Sequence, residues 1–159
     1  MNTARTTIQN AIGREANSVV MSRQVANTLK SHPFFLDLAK RNAGQNVKNL
    51  NLSTFIELFK SEYELDNVYI AKSIYVNSGE GLTETKAVVW SNDLVFFSSP
   101  SSPALMTPSF GYSFSMAGQD KRVVIRRHPN DKGDLVEVDW AYQDFIIDTN
   151  AGYLVQGAV

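Results

Sequence analysis

The residues of this chain with chemistry to offer are two histidines, a run of acidic residues near the C-terminal end, and a few glycine- and serine-rich stretches. His32 precedes Pro33 and His128 precedes Pro129. A histidine base or metal ligand needs a converging carboxylate or a second ligand at a set spacing, such as two histidines one helical turn apart, and neither has one. Both read as turn residues. Glu137, Asp139, Asp144 and Asp148 could supply the paired carboxylates of a hydrolase, which requires one of them to keep its proton near neutrality. Lys121, Arg122, Arg126 and Arg127 on the preceding run give a simpler reading, a solvated ladder of opposite charges across antiparallel strands, at about 0.2–1 kcal/mol per pair. The same basic run could touch phosphate, but a net charge of −1 gives no global pull toward nucleic acid.

The remaining motifs are weaker still. Gly79-Glu80-Gly81 lacks the lysine and the spacing of a phosphate loop, and Gly111 and Gly118 are too isolated for a dinucleotide fingerprint. No serine between Ser98 and Ser102 sits in a G-x-S-x-G elbow. Tyr63, Tyr69, Tyr75, Trp90 and Phe96 could line a ligand pocket, although aromatic residues on strands more often fill a core. The chain has no cysteine, which excludes disulfides, thiolate catalysis and cysteine-ligated metals. No catalytic, cofactor-binding or metal-ligating residue is expected, and no cofactor. The chain reads as a binding or structural protein.

The elements that would position these residues are legible in the hydrophobic pattern. At 159 residues, 43% hydrophobic and 19% charged, the chain fits one globular domain with a sizeable core. No run approaches the roughly 18 apolar residues of a membrane span, so the chain is expected to be soluble and cytoplasmic. Thr3 to Ala16 carries a narrow helical stripe (Ala4, Ile8, Ala11, Ile12, Ala16), capped by Asn2 or Thr3 and weakened by Gly13. Val19-Val20-Met21 predicts a short buried strand, and Ser22 the N-cap of a helix burying Val25, Ala26 and Leu29. Ser31-His32-Pro33 ends that helix and begins another with Phe34, Phe35 and Leu38 on its apolar side, followed by a polar connection from Arg41 to Lys48. Leu52, Phe55, Ile56 and Phe59 mark the clearest helix, with Ser53 as its cap.

Val68, Ile70, Ile74 and Val76 alternate with polar or small neighbours and predict one half-buried strand. Ala87 to Phe97, broken only at Ser91-Asn92-Asp93, predicts a buried second strand, with an exposed loop from Asn77 to Lys86 between the two. Ser98 to Pro108 reads as an extended connection crossing between subregions. Phe110, Tyr112 and Phe114 give an aromatic strand face. Lys121 to His128 and Leu135 to Asp148 predict two more strands joined by a turn through Pro129 to Asp134. After Gln143 the apolar phase of the last strand flips, the mark of a bulge or of a strand leaving one core for another. Ala151 to Val159 holds a final short strand.

The order of these motifs resembles the tailed-bacteriophage major capsid proteins. The residues that carry the resemblance run from Asn17-Ser18-Val19-Val20-Met21-Ser22, through the Lys30-Ser31-His32-Pro33 break and the helix Leu52 to Phe59, to Val68-Tyr69-Ile70-Ala71 with Tyr75-Val76-Asn77. They continue with Val89-Trp90-Ser91-Asn92-Asp93-Leu94-Val95, Pro108-Ser109-Phe110-Gly111-Tyr112 and Ala151-Gly152-Tyr153-Leu154-Val155. The resemblance implies the α+β Hong Kong phage coat fold, with an axial α/β subdomain and a peripheral β-rich subdomain. Residues 1–16 would be the end of the peripheral spine helix, 17–100 the axial domain, 101–148 the peripheral strands, and 149–159 a terminal strand returning to the axial domain. Members of that family are nearly twice as long, so the chain is expected to lack an N-terminal arm and extended loop.

By the same resemblance the function is that of a head subunit. It would self-assemble, as pentamers and hexamers in the parent protein, into an icosahedral shell around the phage genome. It resides in the virion after assembly in the host cytoplasm, and an encapsulin-type shell is a variant of this reading. The implied partners are copies of the chain, with weak contact of the inner surface to packaged DNA, no membrane and no small-molecule substrate. Assembly contacts are expected from the loop residues Ser78, Gly79, Glu80, Gly81, Thr83 and Glu84, and from Arg122, Arg126, Arg127, Glu137 and Asp139 on the charged strands. The competing reading is a small non-enzymatic ligand-binding module using the aromatic strand faces, and behind it a hydrolase using Asp139 and Asp144.

Overall fold

The short apolar run Val19-Val20-Met21 becomes the inner strand of a sheet in the computed structural model, which describes residues 2–43, 50–117, 121–128 and 133–159. Most of the polar connection before the fourth helix, Gly118 and the turn-forming run at 129–132 lie outside the described residues. Strand β1 (Ser18–Ser22) pairs in parallel with β2 (Asn67–Ala71) and antiparallel with β5 (Leu94–Phe97), and β5 pairs antiparallel with β10 (Gly152–Val155). The register puts Val68, Ile70, Val19, Met21, Leu94 and Phe96 on one face and Tyr69, Val20, Val95 and Leu154 on the other.

The first face is the core. Val19, Met21, Leu94 and Phe96 are fully buried there with Ala4 and Ile8 of α1 (Asn2–Ile12), Val25 and Ala26 of α2 (Arg23–Lys30), Phe35 and Ala39 of α3 (Pro33–Ala43), and Phe55 and Phe59 of α4 (Leu52–Tyr63). Each such Val, Leu or Phe contributes about 1.5–3 kcal/mol of transfer free energy. Between α3 and α4 the rings of Phe35, Phe55, Phe59 and Tyr63 form one cluster, with centroids 4.7 Å apart for Phe59 and Tyr63 and 5.2 Å for Phe35 and Phe55.

Local signals set the helix ends. Ser22 Oγ accepts the Val25 N–H at 3.1 Å, as its position before the apolar stripe predicts. For α4 the cap is Asn51, whose Oδ1 accepts the Leu52 N–H at 2.7 Å, and not Ser53, which lies inside the helix. Gly13, at φ +70°, stops α1 at Ile12, so the helix expected to reach Ala16 ends a turn early. Conversely α3 runs on to Ala43, into the stretch expected as polar connection. His32 Nδ1 accepts the Phe34 N–H at 3.3 Å, so this histidine begins a helix.

Three expectations about the middle of the chain need correction. The single strand expected from Val68 to Val76 is two, β2 and β3 (Ile74–Val76), broken at Lys72-Ser73. The second apolar run also divides: β4 (Lys86–Val88) pairs only with β3, and Ile74, Val76, Val88 and Val89 are exposed. Only β5 is buried as its composition predicted, and its neighbour is β1 because a parallel crossover through α2, α3 and α4 brings β1 between β2 and β5. The proline-rich segment after β5, expected to be extended, folds back on itself before the chain goes on to β6 (Gly111–Ser115). The Phe110 N–H donates to the Ser98 carbonyl at 2.9 Å, so residues 99–109 form a loop closed at its base.

Beyond Phe110 the chain leaves the sheet as a long two-stranded ribbon. Its base is β6 (Gly111–Ser115) paired with β9 (Tyr142–Ile146), and its outer part is β7 (Arg122–His128) paired with β8 (Gly133–Asp139). Trp140-Ala141 separates β8 from β9, and the Met116 N–H donates to the Ala141 carbonyl at 3.3 Å. The strand expected from Leu135 to Asp148 is therefore two strands, broken at Trp140-Ala141 and continuous across Gln143.

Candidate assembly surfaces

The two groups of residues expected to make assembly contacts lie on separate two-stranded sheets. Ser78, Gly79, Glu80, Gly81, Thr83 and Glu84 form the end of the β3–β4 hairpin, and all but Ser78, which is half-buried, are exposed. The loop is held by its own backbone. The Asn77 N–H donates to the Thr85 carbonyl at 2.8 Å, the Thr85 N–H to Ser78 Oγ at 3.3 Å, and the Leu82 N–H to the Gly79 carbonyl at 3.2 Å. Gly81 takes φ +82°, a turn position that a side chain would strain. Glu84 lies 3.6 Å from the Lys86 ammonium.

The charged group divides by face. Directly opposite residues in an antiparallel ladder share a face, and alternate pairs take opposite faces. Arg122 stands opposite Asp139, and Arg126 reaches diagonally to Glu137 at 3.5 Å on that same side. Arg127 is on the other side, opposite Asp134 at 3.8 Å. The ladder of opposite charges is therefore present. Asp134, which closes the end of the second face, was expected in the turn and instead pairs opposite Arg127 in the ladder.

That second face carries Val123, Ile125, Val136 and Val138, which are 61%, 67%, 57% and 55% exposed. A four-residue aliphatic patch across two strands has no partner among the described residues. At the base of the ribbon Phe114 and Phe145 pack edge to face at 5.9 Å, and both are about half exposed. In the closed loop Leu105 and Met106 stand fully in solvent, with Met106 at φ +58°.

The alternative chemistries do not assemble. Asp139 stands opposite Arg122 on the outer ladder while Asp144 accepts a hydrogen bond from Ser113 Oγ on the inner one, so the two carboxylates lie on separate ladders. No group of three or more His, Asp or Glu among the described residues could hold a metal ion. Of the aromatics expected around a pocket, Phe96 is in the core, Tyr69 points from the opposite face of the sheet, and Tyr63 stacks on Phe59. Burial, helped by the neighbouring Glu62 carboxylate, holds the Tyr63 phenol above its ordinary pKa. No helix among the described residues is long and apolar enough to cross a membrane.

Over 155 residues, 94% of its length, the chain is 25% identical to the major capsid protein of Burkholderia phage BcepMu. The chain is similar to a phage capsid protein. Its fold matches the crystal structure of a phage-related protein from Bordetella bronchiseptica RB50, with a TM-score of 0.78 over 99% of the chain at 23% identity. No protein-family model matches it. The chain spans about half the length of both proteins, 46% of the first and 48% of the second. The α+β architecture and the capsid-protein resemblance expected from the order of motifs are thus what the comparisons find.

Proposed function

We propose that this chain is a structural subunit of a phage head, working by self-association and without catalysis. The observation that carries the reading is the similarity to a phage major capsid protein along 94% of the chain. A shell subunit needs surfaces for its own copies and no reactive centre. The exposed apolar ribbon and the exposed hairpin suit that need.

In finer detail, residues 17–100 with 149–159 form the part near a capsomer axis, and residues 101–148 the peripheral part. The pairing of β10 beside β5 supports a terminal return to the same sheet. Residues 1–16 are the end of a peripheral spine helix whose Ala4 and Ile8 dock on that sheet. The β3–β4 loop meets neighbours near the axis, and the charged strands meet neighbours at the periphery. Copies close into pentamers and hexamers and then an icosahedral shell, assembled in the host cytoplasm around the genome, with weak contact of the inner surface to DNA.

The test is mass spectrometry of phage particles purified from the host that encodes the chain. Its peptides are expected among the most abundant proteins of the particle, in step with a ring-forming species seen by negative stain. Particles with a full complement of head proteins and no peptide from this chain refute the reading.

A further inference from the structure

We propose that the β7–β8 ladder is a twofold dimerisation surface on which two copies of this chain stack, apolar face on apolar face. The proposal rests on the capsid reading only in that copies must meet, and it names where and in what orientation. Val123, Ile125, Val136 and Val138 make one continuous aliphatic face, while the reverse face sets Arg122, Arg126, Glu137 and Asp139 around Val124 and Leu135 and is mostly charged. Such a ribbon has one side that gains by leaving water and one that does not.

Charge selects the occupant and its direction. The aliphatic face ends in a cation and an anion side by side, Arg127 on β7 and Asp134 on β8. Stacked about a twofold axis along the strands, β7 of one copy lies over β8 of the other and like ends coincide. Arg127 then faces Asp134 of the second copy, and by symmetry the pair forms twice. Turning the second ribbon end for end carries Arg127 to the opposite end of the ladder from the second copy's Asp134, so neither charge is answered across the contact. The favoured arrangement also keeps the strand directions aligned, the geometry in which two sheets pack about 10 Å apart. The contact is isologous, so a single patch serves both sides.

The experiment is sedimentation velocity and native mass spectrometry on the whole chain over a concentration series. R127D gives the ribbon end two acids, D134R gives it two bases, and each alone repels its own copy. Mixed in equal amounts they are expected to form heterodimers. The mixture cannot restore the ion pair within either ribbon, so recovery reports only the contact between copies. The β-branched change I125T/V136T keeps strand propensity and is expected to weaken the dimer about tenfold or more, with an unchanged circular dichroism spectrum. Dimers that ignore both I125T/V136T and the charge changes overturn the inference and leave the capsid reading standing. So does a wild-type chain that stays monomeric throughout, since detection in virions answers the capsid reading separately.

Discussion

Asn17 stands where three parts of the fold meet, and replacing it with alanine has a cost that can be worked from its partners. Its Nδ2 donates to the Ser99 carbonyl at 2.7 Å and its Oδ1 accepts the Ser99 N–H at 2.9 Å, so the side chain closes the sheet end as a backbone strand would. Oδ1 also accepts from Ser18 Oγ at 3.2 Å, and Nδ2 lies 3.4 Å from an Asp66 oxygen. Alanine removes both partners of a half-buried peptide group. At a net 0.5–1.5 kcal/mol per hydrogen bond, with a desolvation penalty where water does not reach, the loss comes to about 2–3 kcal/mol. For a chain of this size that lowers Tm by roughly 5–10 °C. Urea unfolding followed by circular dichroism measures it, and N17A within about 0.5 kcal/mol of wild type would refute the reasoning. N17D is a second arm: it keeps the acceptor but sets a carboxylate beside Asp66. Repulsion raises the carboxyl pKa in the folded state, so stability is lost as pH rises through it, and the deficit of N17D should shrink in acid.

Other changes test other parts of the fold. F59A empties the centre of the aromatic cluster, where Phe59 is fully buried, and should cost about 3–5 kcal/mol by denaturant melt. G152A puts a methyl group 2.4 Å from Cε2 of Phe110, so that ring must move; a loss of about 1–3 kcal/mol is expected, partly recovered by adding F110L. Because the folded-state phenol of Tyr63 titrates above its unfolded value, stability should fall as pH rises beyond about 10, and Y63F should remove that part of the alkaline slope.

The helical half of the fold is written locally. Ser22, Pro33 and the spacing of Leu52, Phe55, Ile56 and Phe59 act within one or two turns, so elements they predict appear within a few residues of where they were expected. The strands depend on neighbours far away in sequence. Val88-Val89-Trp90 is as apolar as Leu94 to Phe97, yet Val88 and Val89 are exposed while Leu94 and Phe96 are buried in the core. Nothing within either run says which will find a sheet. That outcome is decided by the crossover that slides β1 against β5, a pairing some 75 residues apart set by tertiary packing. The serine- and proline-rich segment misled for a related reason: its composition marks a loop but not that Phe110 returns to Ser98.

The candidate contact surface was legible in its charges and hidden in its apolar residues. Alternation of Val136 and Val138 with Glu137 and Asp139 is the period-two pattern of any strand with one covered face. Burial inside one chain and burial between two chains ask for identical spacing, so period alone cannot separate them. What separates them is the number of strands. A two-stranded ladder has no second layer to lay over its apolar face and is marginal alone in water. The β7–β8 ladder therefore carries four aliphatic side chains whose transfer free energy is unrealised in the monomer. A surface that gains about 25 cal/mol for each Å² it covers, and that ends in a self-complementary pair of charges, favours a second copy over solvent.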